Sequence, residues 1–104
     1  MTLVEAILAG ILLRPKARGG YFTIEGACVL GAAYLGLGLP LPVTIGEYHA
    51  VLTVLAARFP ELMRQQACPV CHAVKILGAV MIHLNDSHEW PREHIANWLV
   101  SLGE

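Results

Sequence analysis

Cys68-Pro69-Val70-Cys71-His72-Ala73-Val74-Lys75-Ile76-Leu77-Gly78-Ala79-Val80-Met81-Ile82-His83-Leu84-Asn85-Asp86-Ser87-His88 carries most of the chemistry in this chain. Two thiols stand two residues apart, eleven residues follow, and two imidazoles close the run with four residues between them. Soft sulfur and borderline nitrogen donors at about this spacing can converge tetrahedrally on zinc, as in Cys-x2–4-Cys, about twelve residues, His-x3–5-His. Pro69 would stiffen the turn that aims both sulfurs at one point. Val80 occupies the apolar position three residues before the first histidine. Lys75 stands four residues past the second cysteine, where a zinc finger carries an aromatic.

Geometry is the test of Cys68, Cys71, His83 and His88 as a shared metal site. A continuous helix over 73–84 would hold Cys71 and His83 about 18 Å apart at 1.5 Å per residue, too far for ligands that sit about 2.3 Å from the metal. The site therefore demands a chain reversal, which Gly78 is suited to supply. Two other readings compete. In the first, Cys68 and Cys71 are ordinary reduced cysteines, His83 caps a buried helix and His88 lies in a loop. In the second, Cys-Pro-Val-Cys before a helix looks like a glutaredoxin or thioredoxin motif, its first thiolate stabilised at the helix N-terminus. That motif needs a preceding strand in a βαβ frame, whereas helical patterns precede Cys68.

The composition bounds what surrounds this segment. Of 104 residues, 56% are hydrophobic and 14% charged, with mean hydropathy +0.58. Soluble domains average about 45–50% apolar and about 25% charged. Disorder is excluded, because disordered chains are polar and charged. Seven Lys+Arg against eight Asp+Glu leave a net charge of −1, which argues against an electrostatic nucleic-acid binder. So few charges cannot cover the outside of a small domain, so the sequence predicts self-association, most simply a homodimer. The uncharged run 26–46 has the length of a membrane span. It is interrupted by Gly31, Gly36, Gly38, Pro40 and Pro42 and flanked by Glu25 and Glu47, so no span is expected. Glu5 lies inside the first apolar stretch, and Arg14, Lys16 and Arg18 follow it, the wrong order for a secretion signal. A cytoplasmic, reducing location is the expectation, in which three cysteines form no disulfide framework.

Along the chain, a capping box at Thr2–Glu5 predicts a helix over about 3–13, ended by Pro15 and Gly19-Gly20. The basic stretch 14–18 reads as a solvated turn. Thr23 as N-cap predicts a second helix up to Gly36, with Cys28 a buried structural thiol. A short extended piece is expected around Tyr21-Phe22 or after the cysteine pair. Thr44 and Glu47 make a second capping box before an apolar stripe of Tyr48, Val51, Leu52, Leu55 and Phe59. Pro60 opens a short turn of helix. Pro91 opens the last helix, with Ile95, Trp98, Leu99 and Leu102 on one face. The predicted core is Leu3, Ile7, Ile11, Leu30, Tyr34, Val51, Leu55, Ile76, Val80, Leu84, Ile95, Trp98 and Leu99.

His83-Leu84-Asn85-Asp86-Ser87-His88-Glu89-Trp90-Pro91-Arg92-Glu93-His94-Ile95-Ala96-Asn97-Trp98-Leu99 resembles the ending of a group of small uncharacterised phage and prophage proteins. They carry HLND, a second histidine, a tryptophan, then Ser/Thr-Arg-Glu, Ile-Ala and Trp-Leu. Gly26-Ala27-Cys28-Val29-Leu30-Gly31-Ala32 is similar to their Cys-Ala-Leu-Gly-Ala segment. Together the two cover about a quarter of the chain; Pro91 replaces the usual Ser/Thr. The resemblance implies a phage-type accessory protein and brings no activity. As a helix-turn-helix reader the ending fails, because Arg92 is the only base on the last helix and no recognition helix follows it.

The expectation is a single, mainly α domain over 1–104, a compact bundle of about five short helices with a knuckle-like CxxC turn. Its function is read as non-catalytic protein–protein contact, with a structural zinc held by Cys68, Cys71, His83 and His88 as the candidate staple. The alternatives are a small zinc-finger regulator binding nucleic acid and a thiol redox protein using Cys68 and Cys71. No other catalytic grouping is present: Gly36-Leu37-Gly38 lacks the strand-turn-helix context of a phosphate loop.

Overall fold

In a computed structural model describing all of residues 1–104, Thr2 and Glu5 close their capping box. Thr2 Oγ1 accepts from the Glu5 N–H at 3.1 Å, and Glu5 Oε1 accepts from the Thr2 N–H at 2.8 Å. Helix α1 runs Leu3–Ile11 and buries Leu3, Val4, Ala6, Ile7 and Gly10. It packs along α2 (Val29–Gly36) and α6 (Arg92–Ser101). The α1–α2 contact is backbone to backbone. A Cβ on Gly10 would collide with the Ala32 carbonyl, and one on Gly36 with the Ala6 carbonyl. These glycines therefore serve the contact between helices.

The second helix begins later than its sequence predicts. Thr23 caps no helix: its hydroxyl accepts from the Gly26 N–H at 3.1 Å and closes a local turn. The cap is Cys28, whose Sγ accepts from the Gly31 N–H at 3.5 Å. Extended backbone before it forms the isolated bridges Lys16–Ala27 and Phe22–Ala27. The basic stretch is also less solvated than expected. Ala17 is buried, and Arg14 Nη2 donates to the Thr23 and Ile24 carbonyls at 3.1 and 2.7 Å, clasping the loop.

Thr44 caps α3 (Ile45–His49) by accepting from the Glu47 N–H at 3.0 Å. The reciprocal half of that box is displaced by one residue, since Glu47 Oε2 accepts from the Val43 N–H instead. Ala50 separates α3 from α4 (Val51–Arg58), and Pro60 opens a 3-10 turn over Pro60–Met63. Two three-residue strands follow, β1 (Gln65–Ala67) and β2 (Val74–Ile76), antiparallel with Gln66 opposite Lys75. Helix α5 (Leu77–Asp86) leaves β2 directly. The molecule is thus helix-rich, with six helices and 52% helical residues, and has a small two-stranded sheet where the sequence predicts a bundle of about five helices.

The core is one cluster of 21 buried residues. It contains Leu3, Ile7, Leu30, Tyr34, Val51, Leu55, Val80, Leu84, Ile95 and Leu99 of the predicted set, with Ile11 and Trp98 half-buried against it. Ile76 lies outside it, because it belongs to the hairpin. Leu62, Leu77 and Met81 are fully buried and were not foreseen. The run 26–46 folds into the eight-residue α2 and a proline-rich loop, and no helix is long and apolar enough to cross a membrane.

Candidate metal centre

The hairpin supplies the reversal that the four donors require. Cys68 through Ala73 form its turn: the Cys68 N–H donates to the Ala73 carbonyl and the His72 N–H to the Cys68 carbonyl, both at 2.9 Å. His72 completes the turn in the left-handed region, with φ 66°. The Leu77 N–H then donates to the Arg64 carbonyl at 2.8 Å, so the ladder continues to the first residue of α5. The expected turn at Gly78 does not occur. Gly78 lies buried in the first turn of α5, facing Leu52. Because 74–76 is strand rather than helix, the 18 Å separation of a continuous helix never arises.

At the other end of α5 the Ser87 and His88 N–H groups both donate to the His83 carbonyl, at 2.8 and 3.2 Å. Glu89, at φ 55°, lets the chain turn away, and the Trp90 N–H returns to the Leu84 carbonyl. This fold-back sets His88 edge-on to His83, with ring centroids 4.6 Å apart and planes at 84°.

Cys68, Cys71, His83 and His88 each offer one ligand atom, and the four atoms all lie within 4.8 Å of one another. Cys71 Sγ is 3.4 Å from His83 Nε2. Donors around a tetrahedral zinc are separated by about 3.3–3.8 Å, so the group needs only a small contraction to close on an ion. Three further observations fit a metal. His88 Nε2 is buried without a hydrogen-bond partner, a costly state for a polar atom that disappears if this nitrogen is a ligand. Burial pushes the Cys68 thiol up, but the backbone N–H of Cys71, then that of Val70, the Cys71 side chain and the His72 N–H together hold it below its ordinary value. These donors favour the thiolate, the form that binds metal. His83 is held below its ordinary value by burial, then by the positive charges of Lys75 and His88. This favours its neutral form, the one a metal ligand needs.

The third cysteine lies elsewhere. Cys28 is buried at the start of α2, and burial raises its thiol pKa. All three cysteines are free thiols. A strand does precede Cys68, contrary to the sequence reading, yet β2 follows Cys71, so the helix N-terminus that a thioredoxin-like site uses is missing.

Sequence reasoning missed two buried polar residues outside the donor group. Asn85 is completely buried and Arg92 nearly so. Asn85 Nδ2 donates to the Ala17 carbonyl at 2.9 Å, a tie to a residue 68 positions away. Arg92 Nη1 donates to the Ala27 carbonyl at 3.2 Å, so the last helix's base faces the protein. Spacing held the signal. Asn85 falls four residues after Met81 on the buried stripe of α5, and Arg92 three before Ile95 on that of α6.

Strand, knuckle, strand and helix with this donor set define a candidate Cys2His2 metal centre built into a larger helical fold. Comparison with protein-family models, curated proteins and solved structures finds no significant match.

Proposed function

We propose that this chain is a non-catalytic interaction protein in which one zinc ion staples the hairpin to the end of α5. The convergence of Cys68, Cys71, His83 and His88 carries the reading. Four protein ligands fill a tetrahedral zinc and leave no position for a reacting water, which is the pattern of a structural rather than a catalytic site. The zinc's role is mechanical: strands of three residues with no fully buried side chain are marginal without a staple.

Self-association accounts for the apolar surface. Leu12, Ile24 and Val43 are each more than four-fifths exposed, in a chain with only fifteen charged side chains to keep such a surface apart from another. The phage-type ending fits a small accessory protein of this kind. The ββα order also suggests a nucleic-acid finger, but chemistry disfavours it. A finger reads bases from the residue before its helix and from the third and sixth helical positions. Here these are Ile76, Ala79 and Ile82, which have no side-chain donor or acceptor.

Native mass spectrometry of protein purified without a histidine tag or chelator tests both parts. One zinc per chain at the mass of a dimer is expected, with the zinc lost in Cys71→Ser and in His83→Ala. A metal-free oligomer overturns the staple, and a zinc-bound monomer overturns the self-association.

A further inference from the structure

We propose that the cavity between Tyr21, Tyr48 and Asp86 binds the head group of a small alkylated ammonium compound. The cavity measures about 150 Å³ and lies between the loop at Gly19-Gly20, the start of α2, α3 and α5. That is the size of a cavity able to hold benzene, and so of a group of about five heavy atoms. Four of its seven lining residues are hydrophobic, Ile82 and Cys28 among them. Cys28 contributes a thiol whose pKa is raised by burial, so it brings no charge.

Two features point to a cation. Tyr21 and Tyr48 both line the cavity, their rings tilted at 56° with centroids 5.2 Å apart. Aromatic faces attract a cation placed within about 6 Å of the ring centroid. Asp86 adds a carboxylate to the same cavity. The molecule's ion pairs are Arg18–Glu89 and Arg64–Glu104, so no basic side chain lies within bridging distance of Asp86. Lys75 lines the neighbouring cleft with Asp86 but does not pair with it. Asp86 is instead oriented by Asn85 Nδ2, which donates to its Oδ1 at 2.7 Å.

The apolar lining chooses the kind of cation. A primary ammonium has three N–H donors to satisfy, and one carboxylate among apolar walls cannot serve them all. An alkylated ammonium has few or none and presents methyl groups to Ile82 and the rings. The walls are also fixed in advance, because Tyr48 Oη accepts from the Tyr21 N–H at 2.7 Å, which lowers the ordering cost of binding.

Choline and neohexyl alcohol, in which carbon replaces the quaternary nitrogen, are the probes for an NMR titration of the full chain. Choline should shift Tyr21, Tyr48 and Ile82 and saturate in about the millimolar range. Neohexyl alcohol should bind about tenfold more weakly. Asp86→Asn retains the acceptor for Asn85 and should weaken choline about tenfold, with metal content and melting temperature unchanged. Ile82→Phe fills the cavity and should abolish binding with the carboxylate intact, which keeps the test sound if Asp86→Asn fails to fold. The proposal is overturned by an absence of saturation, by equal binding of the two probes, by an unchanged choline affinity in folded Asp86→Asn, or by choline binding retained in folded Ile82→Phe.

Discussion

The side-chain oxygen of Asn85 accepts a hydrogen bond from the backbone N–H of Val29 at 3.2 Å, joining α5 to the first turn of α2. The first N–H groups of a helix have no partner within it, so a side chain 56 positions away does here what a local cap does elsewhere. Removing it leaves the Val29 N–H and the Ala17 carbonyl buried without this partner, each loss costing about 1–3 kcal/mol. Asn85→Leu should therefore lower stability by about 3 kcal/mol, and thermal denaturation should show the melting temperature falling by more than about 10 °C.

Metal removal should act locally. The hairpin strands bury little, whereas α1, α2 and α6 share the apolar core. With EDTA, amide exchange in residues 65–76 should accelerate to near that of an unstructured peptide, while the amides of α1 and α2 stay protected. Uniform acceleration over the whole chain would show instead that the metal holds the entire domain.

Acid should release the metal. His83 has a folded pKa below its ordinary 6.5, so the unfolded chain takes up the proton first. Its contribution to stability is complete above about 6.5 and is lost as pH falls from there through the lowered folded value. Cys68 also lies below its ordinary value, 9.0. Its contribution is complete above 9.0 and declines as pH falls towards its folded pKa. Metal binding requires both groups deprotonated, so affinity should fall steadily on acidification. A zinc titration between about pH 5 and 8 checks this, and a pH-independent affinity would overturn the whole Cys2His2 ligand set.

His72 sits in the knuckle at φ 66° without belonging to the ligand group. A left-handed conformation costs a non-glycine residue about 1–2 kcal/mol, partly offset in a glycine variant by its freer unfolded chain. His72→Gly should raise stability by up to about 1 kcal/mol and keep its full metal content. His72→Val should lose stability. Metal lost from the glycine variant would make His72 a ligand.

Gly36→Ala should be among the most damaging small substitutions, because its Cβ meets the Ala6 carbonyl where no rotamer change can make room. Forced displacement of packed helices costs about 1–3 kcal/mol. Urea denaturation should show that loss without any change in metal content. A neutral outcome would mean that α1 and α2 can separate freely.

Local signals in the sequence were read correctly where the controlling atoms are close along the chain. Thr2 with Glu5, Thr44 with the Glu47 N–H, and Pro60 at the head of its turn all act over three or four residues. The candidate ligands were legible for the same reason, since residue type and spacing alone single out Cys68, Cys71, His83 and His88. Thr23 misled because a hydroxyl before a small-residue run can close a turn as readily as it caps a helix. Nothing local decides between those outcomes.

Tertiary structure decided the path of residues 73–76. Val74, Lys75 and Ile76 suit strand or helix, and they become strand because β1 supplies a ladder from Gln65 to Ala67. That pairing, formed across the knuckle, puts the reversal at the cysteines rather than at Gly78 and brings sulfur to nitrogen. The burial of Asn85 and Arg92 has the same origin. Each lies on its helix's apolar stripe, but its polar atoms are satisfied by the Val29 N–H, the Ala17 carbonyl and the Ala27 carbonyl, groups remote in sequence. Composition and spacing specify donors, caps and stripes; only the packed chain specifies which distant backbone group each polar atom meets.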